Sequence, residues 1–484
     1  MSAWMIVAVF VVYTAMLFAI TFLTTRKVNN DSFYRGNRNS PWFVVAYGMV
    51  GASLSGVTFM SVPGNVWREN FYYFPMVLGF IAGYVVVATV LLPLYYKLNL
   101  TSIYTYIDKR FGAASYKSGA AYFLLSRSLG ATLRMFLVIG VLHEFVFKQF
   151  GLPFWLVTAL FILLILGYTF KGGIRTIVWT DTLQTTFMLL AVIISIVCIC
   201  HYADWSFGQM LANVRQSPFS EVFQTDPTHK RFFLKQFLSG LFVTVTMTGL
   251  DQDMMQKNLS CRNLKDAQKN MFSFSAILLV MNVFFLILGA ILCLFAMQNG
   301  IPCTDTDYLF PEIAIRRLPV LAGLTFMIGV LSAAYSSADG AMTALTTSFT
   351  IDILGVEKKN YSEEKVRKIR YRVHLCTAVV FFLFIMMFYA LKSDAVINMV
   401  YDIASYTYGP LLGLFFAGIY TKWQVKDRWV PFVVLASPIL SFVIVQICKL
   451  LGYNFGFEIL LLNGALTVLG IWLFRQKSPV SVQK

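Results

Sequence analysis

The basic residues of this chain fall almost entirely on one side of a series of long apolar segments. The sequence divides into thirteen such segments of roughly 17–30 residues, each long enough to cross a hydrocarbon core of ~30 Å. When the intervening loops are numbered alternately, one set and the C-terminal tail hold 27 of the 39 Lys and Arg, and the other set holds 10. Because cytoplasmic loops collect Lys and Arg, the sequence predicts a multi-pass membrane protein with its N-terminus outside and its C-terminus in the cytoplasm.

The composition narrows the class further. Of the 484 residues, 58% are hydrophobic and 13% charged, more apolar surface than a soluble protein of this length could hide. The apolar runs are continuous rather than alternating, which favours helices over a β-barrel. The predicted spans are 3–25, 42–66, 73–97, 118–149, 153–170, 176–202, 235–256, 270–297, 319–351, 373–391, 396–421, 429–451 and 455–474. The longest external loop, about 203–234, has room for a short surface helix.

Several functional classes lose support at this stage. The net charge of +16 does not indicate a nucleic-acid partner, because the basic residues are spread over short loops. The seven cysteines and four histidines are scattered, so neither a disulfide framework nor a metal cluster is predicted. Paired catalytic carboxylates and a phosphate-binding glycine loop are also missing from the sequence. We therefore expect no enzyme and no organic cofactor.

Two predicted spans are interrupted by small and polar residues. The second contains Pro63, four glycines and several hydroxyl groups, among them those of Ser53, Ser55 and Thr58. The span 235–256 ends in TVTMTGLDQDMMQKN. Such segments pack closely against neighbouring helices, or they form discontinuous helices whose unwound carbonyls bind a cation and a solute.

The positions of the two interrupted spans indicate an internal repeat. Each opens a group of five spans, and an odd repeat length inverts the second copy. We expect repeats at 42–202 and 235–421, a leading helix at 3–25, and two extra helices within 429–474. Together they form one transmembrane domain over 1–484.

The ninth span concentrates oxygen ligands. Ala333, Ser336 and Ser337 are spaced i, i+3 and i+4, so they share one helix face. A hard cation such as Na⁺ binds hydroxyl and carbonyl oxygens, which suits this face if it meets an unwound helix. Alternatively, the hydroxyls bond back to the helix or across to neighbours.

Ionisable side chains within spans are costly and therefore functional candidates. Asp181, Asp339 and Arg134 lie in the sixth, ninth and fourth spans. Arg127, seven residues before Arg134, could snorkel to the cytoplasmic interface. Because Arg134 keeps its charge, it needs a partner. That partner is either a protein carboxylate such as Asp339 or an anionic substrate, whose carboxylate would suit the planar fork.

Five motifs between about residues 33 and 355 resemble the sodium:solute symporter family, which includes sodium-coupled sugar, proline, pantothenate and sialic-acid carriers. They are FYRGNRNSPWFVVAYGMVGASLSGVTFMSVPG, IDKRFG, GGIRTIVWTDTLQ, GLDQDMMQK and SAAYSSADGAMTALTTSFTIDIL. The resemblance implies an all-α, leucine-transporter-like 5+5 inverted repeat, with one helix before it and two after it.

The resemblance also implies a main sodium site between the broken helix and the ninth span. Its ligands would be the carbonyls of Gly51, Leu54 and Ala333 and the hydroxyls of Ser336 and Ser337. Asp181 matches an acidic residue that some members link to a second sodium ion or to coupling. Asp339 and Gly340 stand where some two-sodium members have serine, so one or two ions remain open.

For the substrate site, the resemblance matches Arg134 to the arginine that the sialic-acid branch uses to clamp a carboxylate. Ser53, Ser55 and Thr58 match pocket positions, and Tyr73 with Phe74 would form an aromatic lid. Phe242 and Thr244 are added by position in the second repeat. We therefore expect inward sodium flux to drive uptake of a small solute across the plasma (inner) membrane, most simply an acidic sugar or organic acid.

Four alternatives stay open. Aromatic faces also suit neutral sugars, and sodium-coupled uptake of amino acids or nucleosides fits as well. A proton-coupled symporter could use Asp181 and Asp339, whereas Ser336 and Ser337 cannot carry protons at ordinary pH. A membrane sensor on the same fold would usually carry a signalling domain. The sequence leaves the oligomeric state open.

Overall fold

The computed structural model describes residues 3–25, 29–391 and 396–476. The regular secondary structure in these ranges is helical. In the first half of the chain the helices are α1 (Ala3–Thr24), α2 (Asn30–Arg35), α3 (Trp42–Ser53), α4 (Gly56–Glu69), α5 (Phe74–Val86), α6 (Leu92–Lys97), α7 (Thr105–Arg110), α8 (Ala113–Phe145), α9 (Phe154–Gly172), α10 (Ile174–Tyr202) and α11 (Phe207–Gln216). A π-helical turn, Val87–Leu91, joins α5 to α6.

The second half continues in the same manner. Its helices are α12 (Phe233–Thr244), α13 (Gln252–Leu259), α14 (Leu264–Gln298), α15 (Leu309–Arg316), α16 (Val320–Ser348), α17 (Glu363–Leu391), α18 (Val396–Tyr420), α19 (Val430–Leu450) and α20 (Ile459–Leu473). π-helical turns follow α12 at Val245–Gly249 and α16 at Phe349–Ile353. The short surface helix expected in loop 203–234 is α11.

Helices long and apolar enough to cross a bilayer number nine within the described residues, or eleven if each of two bent pairs is one span. The two remaining predicted spans coincide with α18 and α20, and α20 has only 15 residues. The multi-pass helical class is therefore confirmed, while the count of thirteen stays a prediction. The fourth span differs from its predicted bounds of 118–149. The helix α8 begins five residues earlier, at Ala113, and ends at Phe145.

Both interrupted spans are broken helices. α3 and α4 meet at 57°, and α12 with its π-helical turn meets α13 at 64°. Leu54, at φ −80° and ψ 71°, leaves the helical region and ends α3, and Gly56 starts α4. In the second break, the hydroxyls of Tyr95 and Tyr104 donate to the carbonyls of Gly249 and Leu250, each at 2.8 Å. Neighbouring helices thus satisfy backbone groups freed by the bend, as the bilayer requires.

α16 forms the axis of the core. Every residue from Gly329 to Ser348 is buried, and α16 packs against α3, α4, α8, α10 and α17. The breaks of α3/α4 and α12/α13 lie beside this axis. The polar face of α16 is therefore held against irregular backbone deep within the protein.

Candidate functional site

A cavity opens at the two helix breaks, with about 800 Å³ of space between atoms, part of it open to solvent. α3, α4, α5, α8, α12 and α14 all contribute to its wall. The lining residues are Ala52, Ser53, Leu54, Ser55, Val57, Thr58, Tyr73, Phe80, Tyr84, Arg127, Arg134, Val243, Thr244, Met247, Thr248, Met254, Leu278, Asn282 and Val400. The cavity is therefore mainly apolar and aromatic, with hydroxyls and two guanidinium groups placed within it, as small-molecule sites are.

The structure brings most of the predicted substrate residues to this cavity. Ser53, Ser55, Thr58, Tyr73, Arg134 and Thr244 all line it. Phe74 packs against the hydrophobic core and is not among the lining residues. Phe242 instead lines a separate apolar groove formed with α5, its π-helical turn and α18. Because α12 turns by about 100° per residue, the helix that points Val243 and Thr244 into the cavity directs Phe242 elsewhere.

The two arginines of α8 have different environments. Arg134 lines the cavity beside the α3/α4 break. Arg127, one side of which also faces the cavity, forms an ion pair with Asp253 and lies 3.8 Å from Asp251. The expectation that Arg127 snorkels to the interface was wrong, because buried carboxylates of α13 and its cap compensate its charge.

Asn282 is a cavity residue that the sequence interpretation missed. It is 2% exposed, and its amide nitrogen donates to the carbonyl of Leu278 at 2.8 Å. Because a carbonyl can only accept, this bond fixes the amide orientation. The side-chain oxygen has no hydrogen-bond partner among the described residues. A lone asparagine in the run ILLVMNVFF was the available signal, since buried polar groups in a membrane need a partner.

Two of the predicted main sodium residues, Gly51 and Ser336, are linked through α10. The backbone N–H of Gly51 donates to Thr185 Oγ1 at 2.9 Å, and Thr185 donates to the carbonyl of Asp181 at 2.8 Å. Ser336 Oγ then donates to Asp181 Oδ1 at 2.8 Å. One turn of α10 thus joins the broken helix to the hydroxyl face of the ninth span.

The remaining atoms of this region fit a small hard cation. The carbonyls of Gly51, Ala52 and Ser53 end α3, so the helix offers them no following turn. The Ser337 hydroxyl is 1% exposed and has no hydrogen-bond partner among the described residues. In the same described part of the chain, no cluster of three His, Cys, Asp or Glu side chains could hold a metal ion. The oxygens near this point are backbone carbonyls, serine hydroxyls and the Asp181 carboxylate that accepts from Ser336.

The two candidate coupling carboxylates have separate partners. Asp181 lies 2.8 Å from the ammonium of Lys257 through its second oxygen. Asp339 accepts hydrogen bonds from Tyr168 at 2.9 Å and from the backbone of Gly340 at 2.6 Å. The predicted span 235–256 ends one residue before Lys257, so the sequence analysis did not place this lysine within the membrane. The 64° bend instead directs it into the core, where it is 1% exposed.

A group of buried charged side chains lies on the side of the cavity that Arg127 of α8 lines. Asp251 caps α13 by accepting from the backbone of Asp253 at 2.9 Å, and it also accepts the hydroxyl of Tyr408. Arg127 and Lys257 lie against the same group of carboxylates. These contacts join α8, α13 and α18 next to the cavity.

The opposite rim is held by more exposed contacts. Arg231 pairs with Glu69 at 2.6 Å, joining the start of α12 to the end of α4. The hydroxyl of Tyr72 donates to Glu221 at 2.5 Å, and this hydrogen bond raises the pKa of Tyr72 above its ordinary value. This rim lies on the predicted external side.

Comparison with known proteins identifies relatives along most of the chain. The model of the sodium:solute symporter family matches residues 33–426. The sodium/sialic acid symporter SiaT of Proteus mirabilis is 23% identical over 84% of this chain and 83% of its own length. The sodium/sialic acid symporter NanT of Aliivibrio fischeri is 25% identical, over 75% and 72%.

Solved structures show the same architecture. A substrate-bound, outward-open sodium-coupled sialic acid symporter superposes with a TM-score of 0.83 at 20% identity, covering 97% of both chains. A nucleobase-cation-symport-1 family transporter superposes with a TM-score of 0.57 at 13% identity, covering 90% of this chain and 93% of its own. At these identities, the likeness establishes the fold.

Proposed function

The chain belongs to the sodium:solute symporter family, and we propose that it couples inward sodium flux to uptake of a small solute that carries a carboxylate, such as an acidic sugar. The observation that carries the proposal is that Arg134 lines a cavity at the α3/α4 break together with hydroxyl-bearing residues. Two relatives, SiaT of Proteus mirabilis and NanT of Aliivibrio fischeri, are sodium/sialic acid symporters. Their described substrate is an acidic sugar of this class.

Recognition in the cavity would divide between charge and shape. The planar fork of Arg134 can bind a carboxylate with two parallel hydrogen bonds, which a lysine ammonium cannot do. The hydroxyls of Ser53, Ser55 and Thr58 can both donate to and accept from sugar hydroxyls. Tyr73, at the start of α5, would cover the apolar face of the solute.

Sodium would act on the same broken helix from its other side. The proposed ligands are the carbonyls of Gly51, Leu54 and Ala333 and the hydroxyls of Ser336 and Ser337. Since Ser53 and Ser55 of the break line the solute cavity, an ion that fixes the α3 end also fixes these hydroxyls. Sodium then favours the solute-binding state by as much as its affinity differs between the states.

The test is thermal stabilisation of the purified protein by a panel of acidic sugars, organic acids, neutral sugars, amino acids and nucleosides, in sodium and in potassium. We expect an acidic sugar to stabilise the wild type in sodium only. Arg134→Ala and Arg134→Lys should lose the effect, and Arg317→Ala, an exposed arginine, should keep it. Equal stabilisation of Arg134→Ala, or sodium-dependent stabilisation by neutral solutes alone, would refute the carboxylate assignment.

A further inference from the structure

Lys257 of α13 is a buried cation that lies between carboxylates of α10 and α13. Its side chain is 1% exposed, and its Nζ lies 2.8 Å from Asp181 and 3.7 Å from Asp253. Asp339 is also close enough to interact with it electrostatically. A buried ammonium is costly unless carboxylates compensate it. The positive charge of Lys257 therefore compensates the negative charges of Asp181 and Asp253.

The ammonium lies next to the proposed sodium ligands. One oxygen of Asp181 contacts Lys257, while the other accepts the hydroxyl of Ser336. Gly340, one helical turn after Ser336, closes the arrangement from α16. A Cβ added there would lie 2.5 Å from Asp253 Oδ1, so the backbone must lack a side chain for the α13 carboxylate to approach.

The position of Lys257 beside Asp181 would hinder the binding of a second cation at this carboxylate. Asp181 accepts a hydrogen bond from Ser336 of α16, and a free carboxylate would attract an ion in addition to the one proposed at Ser336 and Ser337. Lys257 already holds the oxygen that faces away from Ser336. A second ion would have to displace a covalently attached ammonium or lie beside it, and like charges at this separation repel strongly in a buried site.

We propose that the ammonium of Lys257 is a built-in cation that takes the place of a second sodium ion, so that this chain binds one sodium ion per solute. The inference rests on the proposed function and adds the number of sodium ions that are bound with each solute molecule.

A purely structural ion pair would behave differently when the lysine is removed. In either case, Lys257→Met should destabilise the ion-free protein, because it leaves Asp181 uncompensated. Only a cation position would let added sodium replace the missing charge. Since a bound ligand stabilises the folded state in proportion to the logarithm of its concentration, the slope of stability against sodium concentration counts the ions.

The experiment measures unfolding of the purified full chain across sodium concentrations, with potassium holding the ionic strength constant. We expect a one-ion slope for the wild type and a two-ion slope for Lys257→Met, with apparent sodium affinity at least tenfold higher. Lys257→Arg, which keeps the charge, and Lys265→Met, an exposed lysine on α14, should both keep the one-ion slope. A two-ion slope in the wild type, or an unchanged slope and affinity in Lys257→Met, would overturn the proposal.

If Lys257→Met cannot be purified at any sodium concentration, Asp181→Asn/Lys257→Met decides the question. This variant removes both charges, and we expect it to fold and to keep a one-ion slope. Failure of this variant to fold, or a two-ion slope, counts against the proposal. A wild type that responds equally to sodium and potassium would instead refute the proposed function, so the two failures are distinguishable.

Discussion

At the scale of single residues, Ser337 offers the sharpest test of the main sodium site. Its buried hydroxyl has no partner among the described residues, so Ser337→Ala removes a proposed ion ligand without breaking an observed hydrogen bond. We expect apparent sodium affinity to fall at least tenfold, or about 1.4 kcal/mol, with little change in ion-free stability. Sodium titration of the thermal transition measures both.

A matched control is available in α19. Ser441 is also buried, but its hydroxyl donates to the carbonyl of Ser437 at 2.8 Å, far along the chain from the proposed site. Ser441→Ala should therefore leave the sodium response intact. Equal sodium affinity in Ser337→Ala and wild type would show that the site has been assigned wrongly.

A second prediction concerns Asn282, whose replacement should weaken solute binding without lowering the stability of the solute-free protein. Its side-chain oxygen is buried without a partner among the described residues, and an unsatisfied buried acceptor costs about 1–3 kcal/mol. Asn282→Leu should keep or raise the stability of the solute-free protein, yet weaken solute binding about fivefold by removing one acceptor. Calorimetric titration with the best acidic sugar, beside thermal unfolding, separates the two effects. Unchanged affinity would exclude Asn282 from solute recognition.

The sequence predicted these side chains unevenly. The hydroxyls of α16 and the guanidinium of Arg134 could be recognised because polar groups are rare within apolar spans. Lys257 could not, since it follows the apolar run and is indistinguishable from a loop lysine until the bend of α13 is known. Phe242 lines a different groove in the structure. The direction in which a residue of α12 faces depends on the rotation of the helix, which its position in the sequence does not specify.

At the scale of helices, the close crossing of α3 and α10 gives the main prediction. A Cβ at Gly51 would lie 2.3 Å from Thr185 Oγ1, so Gly51→Ala must displace the Thr185 side chain or the broken helix and break the hydrogen bond between them. We expect a clear loss of thermal stability and a weaker sodium response. Adding Thr185→Ala removes the closest atom and should restore part of both, which a double-mutant cycle quantifies. Purely additive losses would contradict the proposed contact.

Helix breaks were predictable, but their geometry was not. Gly and Pro within 42–66, and the polar end of 235–256, indicated discontinuous helices, and both segments are bent in the structure. The bend angles depend on neighbours that satisfy the freed backbone, such as Tyr95 and Tyr104. Those tyrosines lie some 150 residues away in sequence, so local pattern could not assign them to this role.

At the scale of the whole molecule, the two proposed sites share one moving part. The α3/α4 break contributes to the solute cavity on one side and to the sodium ligands on the other. A ligand can shift a conformational equilibrium only through its different affinity for the two states, and this shared helix supplies that difference for both ligands. The direction of transport follows from the sodium gradient, and the distribution of Lys and Arg predicts which side is cytoplasmic.

The most direct test of this account is uptake of radiolabelled N-acetylneuraminate into proteoliposomes that contain the purified protein. An inward sodium gradient should drive accumulation, an inside-negative potential should increase it, and Arg134→Ala should abolish it. Accumulation driven by an inward proton gradient without sodium, or sodium-driven uptake that Arg134→Ala leaves unchanged, would contradict the account.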